Sequence, residues 1–333
     1  MPTIKDVAKR AGVSVATVSR CLSGGSHVAT KTKERVLRAA AELNYRPNQI
    51  ARSLRRRRTT VIALIISTIE NVFFTEVAHA SELAARERGY NLIVCNTNED
   101  PALEATYLKI LDQQLIAGVV LAPAPGDAPH LTPYIENGLP VVLINRRLNS
   151  VSCSSIVSDD RNAAYQCVSG LLAKGRKRVA AITGLPNIYT TKERLAGYEQ
   201  VLREAGLEID PTLQICGWAG MEGGYGATYQ LMNSANPPDS LFAFNNVMTQ
   251  GAVIAVQEMG LRWPEDIDIS GFGAFKTSHL YQPRLTLVQQ PAREMGRKSV
   301  ELLVEQIEDP TQNAQQIVLN NQITTEATSF LAP

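Results

Sequence analysis

The sequence predicts a chain of two parts: a small all-helical head ending near Arg58, and an α/β body of parallel sheets covered by helices on both faces. Charge divides the chain at that point. The first 58 residues hold fourteen Lys and Arg against three acids, a net of +11, while the remainder nets −10 within a whole-chain charge of +1. The apolar pattern changes at the same place, from helical spacing to short β-branched runs alternating with amphipathic stretches. A length of 333 residues, 44% of them apolar, also exceeds what one compact core usually needs.

These numbers exclude several classes. No stretch approaches the ~18 consecutive apolar residues of a membrane-spanning helix, so no membrane partner is expected. The start, Met1-Pro2-Thr3-Ile4-Lys5-Asp6, lacks the apolar core of a secretory signal, so a cytoplasmic chain is expected. Five cysteines, odd in number and without a CxxC pair, indicate buried thiols rather than a disulfide framework or a zinc cluster. A strongly basic module on an acidic body points to a polyanion, and nucleic acid is the obvious one. A solvated basic tail would carry the charge without the apolar periodicity of the head.

Within the head, Ile4, Val7, Ala8 and Ala11 recur at helical spacing and Gly12 supplies a tight turn. Ser14 suits the N-cap of a second helix over 15–22, with Val18 and Leu22 on one face and Ala16, Thr17 and Arg20 on the other. Gly24-Gly25-Ser26 ends it. A third helix begins near Thr30, with Val36, Leu37, Ala40 and Leu43 as its apolar stripe, and stops at Asn44-Tyr45-Arg46-Pro47. Two helices joined by a turn of about three residues that opens with glycine have the spacing of a helix-turn-helix.

In the body, strands are expected over 61–66, 91–95, 118–122, 141–145, 155–158, 178–183, 213–216, 241–245, 267–272 and 285–289, with helices such as 76–89 and 192–205 between them. One sheet of ten strands would be large. Two doubly wound subdomains fit better, with a ligand cleft where the carboxyl ends of their strands meet. Catalytic signatures are absent: no GxSxG, HExxH, Walker A loop or GxGxxG, and His27, His79, His130 and His279 have no ligand spacing. The sequence therefore predicts neither an enzyme nor a cofactor or metal.

Thr3-Ile4-Lys5-Asp6-Val7-Ala8, Ala11-Gly12-Val13-Ser14 and Ala16-Thr17-Val18-Ser19-Arg20 together resemble the LacI/GalR family of bacterial transcription regulators. The likeness continues through Lys31-Thr32, Leu43-Asn44-Tyr45-Arg46-Pro47-Asn48 and Ala51-Arg52-Ser53-Leu54 into the body. It implies a head (1–46), a hinge helix with basic linker (47–58) and a type I periplasmic-binding-protein-like body (59–333). The body would hold an N-subdomain at about 59–157 and 291–320 and a C-subdomain at about 158–288, with crossovers near 155–159 and 285–291.

Carried over residue by residue, the resemblance places Val15, Ala16 and Arg20 toward the major groove, where Arg20 can pair bidentately with guanine and the two apolar side chains can meet a thymine methyl. Thr3, Ser14, Thr17, Ser19 and Thr32, with the backbone near His27 and Val28, are implied phosphate contacts. Leu54 matches the hinge leucine that wedges into the minor groove, with Asn48, Ala51 and Arg55 along its floor and backbone. One head reads a half-site, so a homodimer on a palindromic double-stranded operator is implied.

For the cleft, the resemblance implies an effector held by Phe73, Phe74, Arg194 and Trp218; Asn145 and Arg146 at the end of the fourth strand and Thr190 and Thr191 just before Arg194 are further hydrogen-bonding candidates, as are Asn246 and Gly273 at two family positions. Arg194 resembles the family arginine that holds the effector's polar groups, and Trp218 the aromatic that stacks on a ring-shaped ligand. Two positions depart from the family: Asn245-Asn246-Val247-Met248 stands where many relatives have Asn-Asp-x-Met, and Gly271-Phe272-Gly273 where many have Gly-Tyr/Phe-Asp. The missing carboxylates tilt the expectation slightly toward a sugar acid, with a neutral sugar nearly as well served by Asn246. The expected function is repression gated by a small carbohydrate-like effector. Its alternatives are a transporter's solute-binding protein and a regulator governed by a protein partner.

Overall fold

The structure, a computed structural model, describes residues 2–22, 29–43, 59–273 and 285–324. The chain separates after Thr59 into two compact units. His27, Val28, Asn48, Ala51, Leu54 and Arg55, expected at the DNA, lie outside the described residues.

The described head comprises α1 (Ile4–Ala11), α2 (Val15–Leu22) and α3 (Thr30–Glu42). A capping box opens α1: the Thr3 backbone N–H and hydroxyl both donate to Asp6 Oδ2, at 2.8 and 2.7 Å. The helix stops in a Schellman turn, with Gly12 in the left-handed region at φ +62° and the Val13 N–H reaching back to Ala8 O at 3.1 Å. Ser14 Oγ then accepts from the Thr17 N–H at 3.1 Å and starts α2. Val7, Ala8, Ala11, Val18, Cys21, Val36, Ala39 and Ala40 form the core. Leu37, expected in the inward stripe, is instead 47% exposed. Val36, Ala39, Ala40 and Leu43 already complete one face at i, i+3, i+4 and i+7, and Leu37 falls beside it.

The body runs β1 (Val61–Ile66), α4 (Val72–Glu87), β2 (Asn91–Asn96), α5 (Pro101–Gln113), β3 (Val119–Leu121), α6 (Thr132–Glu136), β4 (Val141–Ile144) and β5 (Ser154–Ser158). It continues with α7 (Asp160–Ala173), β6 (Val179–Thr183), α8 (Tyr189–Glu204), β7 (Gln214–Cys216), α9 (Met221–Met232), β8 (Ser240–Ala243), α10 (Asn246–Glu258), β9 (Asp268–Phe272) and β10 (Thr286–Gln289). Last come α11 (Ala292–Glu308), β11 (Gln316–Leu319) and β12 (Gln322–Thr324).

All ten expected strands form, in two sheets ordered β11-β5-β4-β3-β1-β2 and β12-β10-β9-β8-β6-β7. The pairings are parallel except that β12 runs antiparallel to β10. The sequence reading had no strand after residue 289; β11 and β12 are short additions, one to each sheet. They create a third crossover between the sheets, through Asn320 and Asn321, beside the two expected ones.

Strand alternation builds the layers. Ile62, Leu64 and Ile66 of β1 pack with Phe74, Val77, Met295 and Leu303 of α4 and α11, while Ala63 and Ile65 face Leu108 and Leu111 of α5. The second sheet and its helices share one core containing Tyr198, Phe242, Phe244 and Phe272. The edge strand β2 departs from the fully covered pattern, with Ile93 and Val94 exposed. Of the five cysteines, Cys21, Cys95, Cys153 and Cys167 are buried as expected and Cys216 only partly so; all are free thiols.

Helix packing against backbone yields a paired test. A Cβ on Gly197 of α8 would overlap Arg161 O and come within 3.0 Å of Ala164 Cβ, whereas a Cβ on Gly170 of α7 would meet nothing within 4 Å. Gly197→Ala is expected to lose about 1–3 kcal/mol, and Gly170→Ala to gain about 0.5–1 kcal/mol. Urea unfolding of both variants reads this; a Gly197→Ala variant as stable as its parent would contradict the close α7–α8 approach.

Candidate functional site

The carboxyl ends of both sheets open into one cleft of about 260 Å³. Phe73, Phe74, Asn145, Arg146, Thr190, Thr191, Arg194, Asn246 and Gly273 all line it, so nine of the ten expected cleft residues are brought together. Two helices begin a turn earlier than their apolar patterns indicated, which puts four of these residues on first helical turns. Asn71 Oδ1 accepts from the Phe73 N–H at 2.9 Å and caps α4, so the chain turns helical before Phe73. Phe73 and Phe74 meet edge to face, centroids 5.0 Å apart, with Phe74 also belonging to the first sheet's core.

Arg194 is buried, and its charge is matched. Its Nε and Nη2 donate to Asp160 Oδ2 at 2.9 and 2.7 Å, its Nη1 donates to Phe244 O, and its guanidinium lies 3.7 Å from the Phe272 ring centroid. Burial pulls the guanidinium below its usual range, and the Asp160 charge opposes that shift. Asp160 Oδ1 accepts from Ser158 Oγ at 2.7 Å and Asn321 Nδ2 at 3.3 Å. Ser158 Oγ in turn accepts from Gln290 Nε2 at 3.1 Å, and Gln290 Nε2 also reaches Asn145 Oδ1 at 3.3 Å. Ser158, Gln290 and Asn321 belong to the three separate crossovers, so all of them converge on the carboxylate that holds the cleft arginine. Sequence reasoning missed Asp160; its only signal was an acidic pair at the end of β5.

On the opposite wall, Arg146 forks onto Glu99, Nη1 to Oε2 at 2.7 Å and Nη2 to Oε1 at 2.5 Å, and Nη1 also donates to Pro123 O at 2.6 Å. Glu99 is a second lining residue that sequence reasoning missed. The loop carrying Pro123 is held from behind by Glu104, which accepts from the Ala124 N–H at 2.6 Å and contacts His130 Nε2 at 2.8 Å. Burial raises the Glu104 carboxyl above its ordinary range, and these hydrogen bonds pull the other way.

Trp218 corrects an expectation. The residue expected to stack on a ligand is 69% exposed and stands outside the cleft lining, where Ala219 takes its place. Trp218 and Ala219 lie consecutively in the left-handed region, at φ +52° and +60°, and this turn presents Ala219 inward. Asn245 Nδ2 holds the turn by donating to Ala219 O at 3.1 Å, while its Oδ1 caps α10 by accepting from the Met248 N–H at 2.7 Å. Gly273 has φ +103°, and a Cβ there would collide with Asn246. The carboxylate that relatives carry at this position has no room beside Asn246.

In the head, Val15, Ala16 and Arg20 are exposed on the outer face of α2 and Val18 is fully buried on the inner one. Arg20 Nε lies 3.5 Å from Ala16 O, one turn back. Ser14 and Thr17 share a hydroxyl hydrogen bond of 2.8 Å, Ser19 and Thr32 are half-buried, and Thr3 is exposed. Among the described residues, no group of three or more His, Cys, Asp or Glu could hold a metal ion.

Comparison with known proteins agrees with both units. The family described as bacterial regulatory proteins, lacI family, matches residues 3–48, and periplasmic binding proteins and sugar binding domain of LacI family matches residues 59–328. The HTH-type transcriptional repressor PurR of Aliivibrio fischeri (strain MJ11) is 34% identical over 93% of each chain, and the HTH-type transcriptional regulator DegA of Bacillus subtilis (strain 168) is 33% identical over 88% of each. Among solved structures, the lac repressor dimer bound to operator and the anti-inducer ONPF superposes with a TM-score of 0.83 at 26% identity, covering 97% of both chains. The transcriptional regulator CelR–cellobiose complex gives 0.74 at 30% identity over 97% of this chain and 98% of that one. With a helix-turn-helix head, a two-sheet body and family matches along nearly its whole length, this chain belongs to the LacI family of DNA-binding bacterial transcription regulators and is not an enzyme.

Proposed function

We propose that this repressor's grip on its operator is set by a small neutral carbohydrate-like ligand held between the two body subdomains. Charge matching in the cleft carries the reading. The lean toward a sugar acid assumed an arginine without carboxylate partners, but Arg194 is paired with Asp160 and Arg146 with Glu99. An anion entering here would be desolvated without an uncompensated cation to meet it. The volume, about 260 Å³, lies below the ~300–1,000 Å³ of drug-sized sites and suits a single ring. The relative solved with cellobiose supports the same chemical class.

Coupling to DNA follows from where the ligand sits. Thr190, Thr191, Arg194 and Asn246 come from the second subdomain, and Phe73, Asn145 and Arg146 from the first, so a bridging ligand selects one cleft closure. Arg194 passes that selection to the three crossovers through Asp160, and a ligand that prefers one closure shifts the population between states. Two copies are proposed to act together on a palindromic operator, since one head reads a half-site. Ile93 and Val94, exposed on the edge strand, supply apolar surface suited to a second copy. A transporter's solute-binding protein would have no use for the head. Arg20 is proposed to read guanine and Val15 and Ala16 to read methyl groups, with Thr3, Ser14, Thr17, Ser19 and Thr32 setting register on phosphates.

Fluorescence anisotropy on the chain's own upstream DNA, at fixed salt, tests the reading. A neutral monosaccharide is expected to change affinity by about 5–150-fold; a response confined to sugar acids, or to nucleobases, would overturn it. In the same assay Arg20→Ala should cost about 1–3 kcal/mol and relax discrimination at one base pair; a uniform loss across sequences with a shallower salt slope would make Arg20 a phosphate contact. Asp160→Ala, which strands Arg194 as a buried charge, should destabilise the body by about 3–5 kcal/mol, and Asp160→Leu combined with Arg194→Met should recover most of that while abolishing the ligand response. Thermal unfolding with and without ligand separates the two effects.

A further inference from the structure

Asn145 lines the cleft with 6% of its surface exposed. Its backbone is anchored at φ +64°, a region that Asn tolerates better than most residues, and its N–H donates to Ile156 O at 2.8 Å. What it offers a ligand depends on which edge of its carboxamide is turned to the cleft, since the oxygen only accepts and the nitrogen only donates. That choice is made elsewhere, by a run of hydrogen bonds with one permitted direction.

The run starts at Asp160. Its Oδ2 is taken by the Arg194 guanidinium, and as a carboxylate it only accepts. The Ser158 hydroxyl, 2.7 Å from Oδ1, therefore commits its single hydrogen to Asp160 and is left an acceptor toward Gln290. One amide atom of Gln290 lies 3.1 Å from Ser158 Oγ and 3.3 Å from the Asn145 carboxamide, and it has to be Nε2, because Ser158 has no hydrogen left to give. A nitrogen whose second hydrogen points at Asn145 requires Oδ1 there. Nδ2 is then the edge left for the cleft, and it meets no acceptor among the described residues.

Asn321 obeys the same rule at a visible cost. Its Nδ2 donates to Asp160 Oδ1 at 3.3 Å although its own Oδ1 is buried and finds no donor. We infer that Asn145 is a donor-only reader on the first-subdomain wall, a specificity-determining residue that takes an accepting oxygen of a neutral ligand through Nδ2 and gives nothing to a group that can only donate. Ser158 and Gln290 are its positioning residues, so one carboxylate sets both the arginine of the second wall and the amide of the first. This rests on the neutral, carbohydrate-like ligand proposed above and adds the polarity of one of its contacts.

Calorimetric titration of the full chain with glucose, galactose, mannose and ribose identifies the tightest binder, and its monodeoxy and monodeoxyfluoro analogues then test the contact. A hydroxyl donates and accepts, carbon-bound fluorine only accepts, and hydrogen on carbon does neither. At one ring position the fluoro analogue should bind about threefold or more tighter than the deoxy analogue. In Asn145→Asp, which keeps the Gln290 contact and puts a carboxylate oxygen where Nδ2 stood, that order should reverse. Gln290→Glu should reverse it too, since a carboxylate at this position accepts from Nδ2 and turns Oδ1 to the cleft; a loss of packing alone would weaken both analogues alike. Where Asn145→Asp does not fold or bind, Asn145→Ala takes its place, with the two analogues expected to bind equally. Absence of any position that favours fluorine over hydrogen would overturn the donor reader and leave the neutral-ligand reading intact, and so would a preference that persists in the Asn145 variants or in Gln290→Glu. Failure of all four sugars to bind at millimolar concentration would overturn both.

Discussion

Asp160 is the point on which the body depends. A guanidinium as buried as that of Arg194 is tolerable only beside a carboxylate that is itself hydrogen-bonded, and Asp160 meets that condition by drawing on Ser158, Asn321 and, through Ser158, Gln290. These donors sit on the three passages of chain between the two sheets. A single buried charge requirement therefore ties the cleft arginine to all three segments that link the two sheets.

The cleft exists because parallel sheets leave their carboxyl ends crowded with turns into helices, and two such ends face each other here. Local capping decides what each turn presents. Asn71 begins α4 early enough to bring Phe73 and Phe74 to the cleft, and Asn245 begins α10 so that Asn246 lines it while the Trp218–Ala219 turn is held against Asn245. The left-handed geometry of Gly273 completes the second wall by admitting no side chain beside Asn246.

Electrostatics separates the two units as sharply as composition does. The head concentrates positive charge and exposes Val15, Ala16 and Arg20 on the side of α2 away from its core, as a groove-reading helix requires. The body carries the opposite net charge, which disfavours its contact with a polyanion, whereas the composition of the head and the basic segment after it favours such contact. Inside the body, Arg194 is paired with Asp160, Arg146 with Glu99 and Lys174 with Asp268.

Periodicity and charge in the sequence determined the three short helices, the ten principal strands and the division near Arg58, because each is a property of neighbouring residues or of composition. Family motifs and positions at strand ends added the list of cleft residues, nine of which line one cleft. Tertiary structure alone decided the rest. β11 and β12 are strands only because a sheet edge stands ready to pair with them, and Leu37 is exposed because its neighbours had already filled the one inward face of α3. Trp218 stands outside the cleft lining, where two successive left-handed residues turn the chain and Ala219 lines the cleft instead. The partners of Arg194 and Arg146, 34 and 47 residues away, become neighbours only when strand ends from different parts of the chain are brought together. Pair identity is a matter of distance in space, which residue order does not encode locally, and it is those pairs that set the charge of the cleft.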